Sequence, residues 1–267
     1  MRTFFMIGVF FLSAAGAIAA PATDTYVVPL AGHVGGANGE TWTTDVIVHN
    51  LEPATLVVDL AGVDSFGADL ELAVRTATVG PHGTMTLSDL FRPGQAGALL
   101  VAGTAPFALR VRVHAHGPRG SFGADVTPAT EFIDASSSGA FLTGVAGNEG
   151  TRSSVGFLAI AGVTGLEIEV TILDGAAVNL GSRMFAVEPG AIRHVHANGA
   201  DFAAGAFDNA TARIRVIDGD GVVTPYATVV DNLSSDAAFI SPSSGASAPS
   251  TTHFRKVIQR LMMRGQR

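Results

Sequence analysis

Residues Trp42-Thr-Thr-Asp-Val-Ile-Val-His-Asn50 are the starting point for predicting the fold. Trp42 is the only tryptophan of the chain, and it follows a glycine-rich loop at residues 32–39. After it, Val46 and Val48 alternate with residues that take the opposite face. Successive side chains of a strand point to opposite faces, so this alternation predicts a β-strand with one buried face.

The second half of the sequence repeats the pattern of the first. At an offset of 110 residues, the alignment matches Val46 with Gly156 and Leu56 with Leu166. A turn built from Pro and Gly follows in each half, at residues 81–83 and 188–190. A repeat of this length is the mark of a duplicated supersecondary unit.

No segment before residue 250 shows the 3.6-residue apolar period of a helix over ten residues. Many short strands between Gly and Pro turns are typical of antiparallel sandwiches. The predicted fold is therefore all-β, with two tandem immunoglobulin-like antiparallel β-sandwich units at residues 21–134 and 135–242, and a short C-terminal amphipathic helix. One continuous sandwich, whose halves share sheets, is the alternative.

The first twenty residues have the composition of a secretory signal peptide. Arg2 supplies a positive start, residues 4–12 are apolar, and Ala17-Ile-Ala19 is a small-x-small cleavage site. A signal peptide at residues 1–20 predicts a secreted protein, periplasmic or extracellular. The chain has no cysteine, so disulfides contribute nothing to its stability there.

The end of the chain changes composition twice. Residues 243–252 are mostly Ser, Gly, Ala and Pro, which predicts a flexible linker. Residues 253–267 combine an apolar helical stripe with five basic residues, which predicts a basic amphipathic helix or tail. One interpretation is a helix that contacts an anionic membrane surface through Phe254, Arg255, Lys256, Ile258, Arg260 and Leu261. A partner-docking helix and a frayed tail are the alternatives.

The charge distribution excludes one class of partner. Between Asp24 and Asp236 lie 23 acidic and 10 basic residues, a net charge of −13. Nucleic-acid binding requires a basic surface, so no nucleic-acid partner is expected. Surplus carboxylates also keep a protein soluble without any specific partner.

Several motifs resemble those of one group of proteins. Trp42-Thr-Thr-Asp45, continued by Val46-x-Val48-x-Asn50, resembles the opening strand of a group of secreted bacterial tandem β-sandwich proteins of unassigned function. Gly97-Ala-Leu99, Gly120-Ser-Phe-Gly123 and Tyr226-Ala-Thr-Val-Val-Asp-Asn232 are similar to later elements of that group. A departure occurs at Arg152-Ser-Ser-Val155, which stands where the first half has Trp-Thr-Thr-Asp. The resemblance implies a β-rich exported protein and no particular activity.

Two His-x-His pairs are candidate metal ligands, His114 with His116 and His194 with His196. Residues i and i+2 of a strand share a face and can hold one ion, with a third ligand from elsewhere, such as Asp89 or Asp125. Solvent-facing strand histidines are the alternative for both pairs.

A second candidate metal site is Asp218-Gly-Asp220-Gly221, which is similar to part of a calcium-binding loop. The loop lacks the glutamate that completes an EF-hand, and Asp-Gly also favours a tight hairpin turn. A calcium loop and a simple hairpin therefore remain open.

Trp42, Asp45 and Asn50 are candidate ligand-binding residues. Trp42 could stack on a sugar ring or lie in the core at the opening of a sandwich. Asp45 and Asn50 could instead organise turns through hydrogen bonds to the backbone. The sequence contains no nucleophile-elbow, zinc-protease or nucleotide-binding motif, and no cofactor is predicted.

These observations favour an exported, non-catalytic β-sandwich protein, a structural or surface-interaction module for adhesion to a cell-surface or extracellular protein or glycan. A carbohydrate-binding module that uses Trp42 is the first alternative. A metal-dependent hydrolase built on a His-x-His strand is the second.

Overall fold

The computed structural model describes residues 24–36, 39–117, 120–129, 132–203 and 205–243. These residues form fifteen β-strands and one short 3₁₀ turn at Gly199–Asp201, and every strand pairing among them is antiparallel. The prediction of an all-β antiparallel fold is confirmed. The described chain contains no helix of the length and hydropathy needed to cross a membrane. The predicted signal peptide and C-terminal helix lie outside the described residues.

The first half of the chain forms a nine-stranded sheet. Its strands are β1 (Asp24–Gly35), β2 (Thr41–Asn50), β3 (Leu56–Val63), β4 (Asp69–Leu70), β5 (Thr76–Val79), β6 (Thr84–Leu87), β7 (Gln95–Gly103), β8 (Phe107–Gly117) and β9 (Gly120–Val126). The order is β4–β3–β7–β1–β2–β8–β9, with β5 paired to β3 and β6 paired to β2. Strand β1 leaves β7 after His33 and pairs with β2 at Val34, so it joins two layers.

The first hydrophobic core lies between these two layers. Val46 and Val48 of β2 face Val58 of β3 and Leu99 and Val101 of β7 in one buried cluster. The alternating valines that predicted β2 are therefore the side chains that β2 packs into this core. The face that carries Asp45 and Ile47 remains partly exposed.

The second half forms a six-stranded sheet built around two long strands. Its strands are β10 (Ala140–Gly147), β11 (Thr151–Leu173), β12 (Asn179–Val187), β13 (Ile192–Asn198), β14 (Phe207–Asp231) and β15 (Ala237–Ile240). The first part of β11 pairs with β13 and the end of β14, whereas its last part pairs with β12 and the start of β14. Each long strand thus contributes to both layers around a second core.

The two halves share most of their strand pairings, and the pairing of β3 with β4 occurs in the first half alone. The pairings of β2 with β6 and β8 correspond to those of early β11 with β13 and late β14. Likewise, the pairings of β3 with β5 and β7 correspond to those of late β11 with β12 and early β14. In the first half, short loops separate β2 from β3 and β7 from β8. In the second half, the corresponding pairs of strands are each continuous, as β11 and β14.

The predicted residue match needs a correction of one position. Val46 faces the first core, and Val155, not Gly156, faces the second core. A shift of one residue reverses every side chain of a strand, so the predicted offset of 110 is wrong by one in β11's first part. Further along, Leu56 of β3 and Leu166 of β11 both face their cores, as an offset of 110 requires.

A third cluster of buried residues joins the halves. It combines Val27, Ala61, Val63, Ala98 and Leu100 of the first half with Leu158, Ile160, Ile192 and Val222 of the second. The connecting segment is buried too, because Phe132 belongs to this cluster and Ile133 pairs with Val223 of β14. At the other end, Ser243, the first residue of the predicted linker, donates its backbone N–H to the Phe141 carbonyl at 2.9 Å.

Candidate functional site

Trp42 lines a cleft between the two halves. It lies at the start of β2 on the face that carries Val46, but beyond the end of the first core. The residue is half-buried and borders a cavity of about 210 Å³. Trp42 is therefore not a member of the first core cluster and lines the cleft at its end instead. Its strand position agrees with the prediction.

The first half supplies an apolar wall beside Trp42. Val34 of β1 lies directly across from Trp42. Val113 of β8 and Ala124 of β9 lie across from one another in the next row of the sheet, and Val126 follows on β9. These side chains share the inner face of the first sandwich, and the second half covers them only in part.

The second half supplies a more polar wall. Arg152 and Ser154 lie two residues apart on β11, and their cross-strand partners on β14 are Val230 and Thr228. All four point away from the second core, because Ser153 and Val155 take the opposite face of the strand. Strand periodicity thus places a cation and two hydroxyl groups on one wall of the cleft.

Arg152 is oriented by a neutral partner. Its Nη1 donates a hydrogen bond to the Asn232 side-chain oxygen at 2.7 Å. The Asn232 amide nitrogen in turn donates to the Glu149 carbonyl at 2.9 Å. Arg152 forms no salt bridge with any carboxylate of the described ranges. In the sequence, Arg152 departs from the first-half pattern, and this departure is the signal that could have singled it out.

Strand β15 closes the third side of the cleft. Ala237, Ala238 and Phe239 line it, and the Phe239 ring stacks on Tyr226 with centroids 5.8 Å apart. Phe239 also packs against the first core, although it belongs to the second half. The cleft therefore depends on how the two halves are packed.

A buried histidine–tyrosine network lies beside the cleft. Nε2 of His194 is 2.9 Å from the Pro29 carbonyl oxygen, which can only accept, so this nitrogen carries the proton. The same N–H lies 2.8 Å from the Tyr226 hydroxyl, which donates to Nδ1 of His196 at 3.1 Å. The Pro29 carbonyl lies in a bulge where β1 pairing with β7 is interrupted. This network links the second half to the first.

The network is possible because residue 156 is glycine. The Tyr226 ring crosses over Gly156, and a Cβ there would lie 2.5 Å from the ring. His194 and His196 face Tyr226 from β13 with nearly parallel rings. The His-x-His prediction was right that the two rings share a face, and their hydrogen bonds go to Tyr226 and Pro29.

Burial keeps His194 neutral. Desolvation, followed by the nearby His196, lowers the pKa of His194 to about 4, while the Pro29 hydrogen bond and Asp64 act in the opposite direction. Burial also lowers the pKa of His196. His196, however, is solvent-accessible through the cleft. Water there weakens the effect of burial, so His194 is the group that stays most firmly unprotonated.

The other His-x-His pair lies on the outer face of the first sheet. Nε2 of His114 is 3.1 Å from the Thr43 hydroxyl, and its Nδ1 is 3.6 Å from a carboxylate oxygen of Asp45, beyond hydrogen-bond length. The ring of His116 lies 4.9 Å from that of His114 and contacts Ser121. Asp125, the proposed third ligand, forms a salt bridge with Arg110 at 3.0 Å.

The Asp218–Gly221 segment lies where β14 crosses from one layer to the other. The Asp220 carboxylate accepts hydrogen bonds from the Thr164 hydroxyl and from the backbone N–H groups of Thr164 and Val163, and these bonds lower its pKa. Gly219 and Gly221 both have positive φ angles. The carboxylate thus organises the 162–165 loop. Among the described residues, no group of three His, Cys, Asp or Glu side chains could hold a metal ion.

The three predicted ligand-binding residues of β2 do not form one site. Asp45 lies on the opposite face from Trp42, as an odd spacing on a strand requires. Asn50 lies about 26 Å further along the strand at ~3.3 Å per residue. It is fully buried and makes four hydrogen bonds, including Nδ2 to the carbonyls of Ala54 and Gly80. Asn50 therefore organises two turns.

No protein-family model and no curated protein sequence matches this chain. The resemblance to secreted bacterial proteins remains a prediction from the motifs alone.

Proposed function

We propose that this chain is an exported, non-catalytic interaction module and that its binding site is the cleft between the two halves. One observation carries the proposal: Trp42 of the first half and Arg152 of the second line the same cavity. An aromatic ring, a cation and two hydroxyl groups converge there on largely apolar walls. Such a combination, a concave apolar site with a few polar groups, is typical of ligand sites.

We further propose that the two halves are immunoglobulin-like sandwiches derived from one duplicated unit, divided near residues 134 and 135. The common strand pairings support this origin, and so does one matched hydrogen bond. The Thr44 hydroxyl accepts the Gly32 N–H at 2.8 Å, and the Ser153 hydroxyl accepts the Ala146 N–H at 2.8 Å. In both halves, a strand hydroxyl accepts a hydrogen bond from a backbone N–H of the neighbouring strand, close to a bulge in that strand.

The alternatives receive less support. A stacking platform for a long glycan needs an open aromatic face, whereas Trp42 is half-buried in a narrow cleft. A metal-dependent hydrolase needs at least three ligands, and the described His-x-His pairs lack a third. Adhesion to an extracellular protein or glycan, and contact of residues 253–267 with an anionic membrane, stay as further proposals from sequence.

Filling the cleft tests the proposal. Ala124 lines the cleft, and Ala124→Phe should occupy the space that a ligand would take. Ala108→Phe places the same side chain at an exposed position of the neighbouring strand and is the matched control. Because Trp42 is the only tryptophan, its fluorescence reports directly on the cleft.

The expected result is that single-ring compounds change Trp42 emission in the wild type and in Ala108→Phe, but not in Ala124→Phe. A glycan array run in parallel addresses the carbohydrate alternative. Glycan binding that survives Ala124→Phe and is lost in Trp42→Ala would replace our proposal with that alternative. If no compound changes Trp42 emission, the cleft is not a binding site.

A further inference from the structure

Arg152 lacks the carboxylate partner that several other strand arginines have. Arg110 is paired with Asp125 at 3.0 Å, and Arg215 with Glu169 at 2.8 Å. Arg152 is half-buried, and its Nη1 donates to the neutral side-chain amide of Asn232. A partly buried cation without a counter-charge is costly, and a bound anion would relieve that cost.

The groups next to Arg152 are suited to the same ligand. Ser154 and Thr228 face one another across β11 and β14, one row deeper in the cleft than Arg152. Their hydroxyl groups make no side-chain hydrogen bond with the described residues, so both are available as donors. A guanidinium with adjacent hydroxyls is a favourable setting for a carboxylate, which accepts several hydrogen bonds in a plane.

The remainder of the cleft is suited to an apolar group. Trp42 and Val113 form one side, and Phe239 forms another. An engineered apolar cavity of about 150 Å³ is large enough to bind benzene. A cavity of about 210 Å³ therefore has room for one ring and a short substituent, and not for an extended chain.

We propose that the cleft binds a small organic monocarboxylate with a single ring or short apolar chain, its carboxylate at Arg152 and its apolar part against Trp42. This inference rests on the proposed function, because it names the ligand class of the same cleft. A free inorganic anion would leave the Trp42 wall uncovered, and a cation would be repelled by Arg152. The body's net charge of −13 opposes anions at long range, so the selectivity arises within the cleft.

The test compares three probes of similar size and different charge: phenylacetate, 2-phenylethanol and phenethylamine. Titrations are followed by Trp42 emission and by calorimetry on the full chain. Phenylacetate should bind at least about tenfold more tightly than the alcohol, which corresponds to one charge-assisted hydrogen bond. Phenethylamine should bind most weakly. This comparison uses the wild type alone and does not depend on whether a variant folds.

Two variants then locate the carboxylate. Arg152→Gln should weaken phenylacetate binding at least about tenfold while changing the affinity for the alcohol less than twofold. Arg92→Gln removes an exposed arginine that pairs with Glu71 and should change neither affinity.

The outcomes separate this inference from the proposed function. If phenylacetate and the alcohol bind equally and Ala124→Phe abolishes both, the cleft is a binding site and the anion class is wrong. Equal loss of both ligands in Arg152→Gln would also overturn the carboxylate assignment. If no probe binds, both proposals fail.

Discussion

Acid should destabilise this fold through His194. The residue is 4% exposed, and its pKa is lowered to about 4 from an ordinary value of 6.5. Between these two pH values the unfolded chain binds a proton at His194 and the folded protein does not. The free energy of unfolding therefore falls as the pH falls below 6.5, and this loss is complete below pH 4. His196 and Asp64 are the ionisable neighbours that influence the titration.

The size of the effect follows from the two pKa values. One pKa unit corresponds to about 1.4 kcal/mol, so the full loss is about 3 kcal/mol. At pH 5, His194 alone should reduce the free energy of unfolding by about 2 kcal/mol relative to pH 7.5. Losses of this size are a large fraction of the total stability of an ordinary domain.

Urea unfolding at pH 7.5 and 5.0, followed by Trp42 emission, measures this loss. Carboxylates and other histidines contribute to the wild type and to His194→Asn alike, so the difference between them isolates His194. His82→Asn is the matched control, because His82 is exposed and its φ of 50° is tolerated by asparagine. Between pH 7.5 and pH 5.0, the free energy of unfolding of the wild type and of the control should each fall by about 2 kcal/mol more than that of His194→Asn. Equal losses in the wild type and His194→Asn would refute the assignment of a neutral, enclosed His194.

Three further substitutions test the packing. Gly156→Val should destabilise by about 1–3 kcal/mol, because the new Cβ meets the Tyr226 ring; an unchanged melting temperature would show that the ring can move aside. Asn50→Ala should cost about 1–3 kcal/mol in chemical denaturation, since it removes the donor to the carbonyls of Ala54, Val79 and Gly80, of which that of Val79 is buried; a neutral effect would mean that water replaces the amide. Trp42→Ala should lower the free energy of unfolding by about 1–3 kcal/mol in thermal melts followed by circular dichroism, less than the ~3–5 kcal/mol expected for an enclosed ring; a larger loss would show that Trp42 packs as a core residue.

The local features of the fold could be predicted from the sequence. The alternation around Val46 predicted β2, which the structure places at Thr41–Asn50. The proposed turn-forming role of Asn50 matches its hydrogen bonds. The Asp-Gly segment near residue 219 adopts positive φ angles, but inside the continuous strand β14 and not in the hairpin that was one of its two interpretations. These features depend on residues that are neighbours in sequence or on one adjoining strand. Side-chain alternation and turn chemistry are local, so the chain reveals them directly.

Only the tertiary structure decided which face each strand buries and where a site forms. Gly156 and Val155 are adjacent, and an alignment by residue type cannot choose between them, although a shift of one residue reverses the face. The sequence left Trp42 open between a core and a stacking site, because it does not indicate that the first sheet is open at its end and covered by the second half. Arg152 and Trp42 line one cavity for the same reason. That cavity is made by packing two sheets distant in sequence, and no periodicity within either strand encodes that packing.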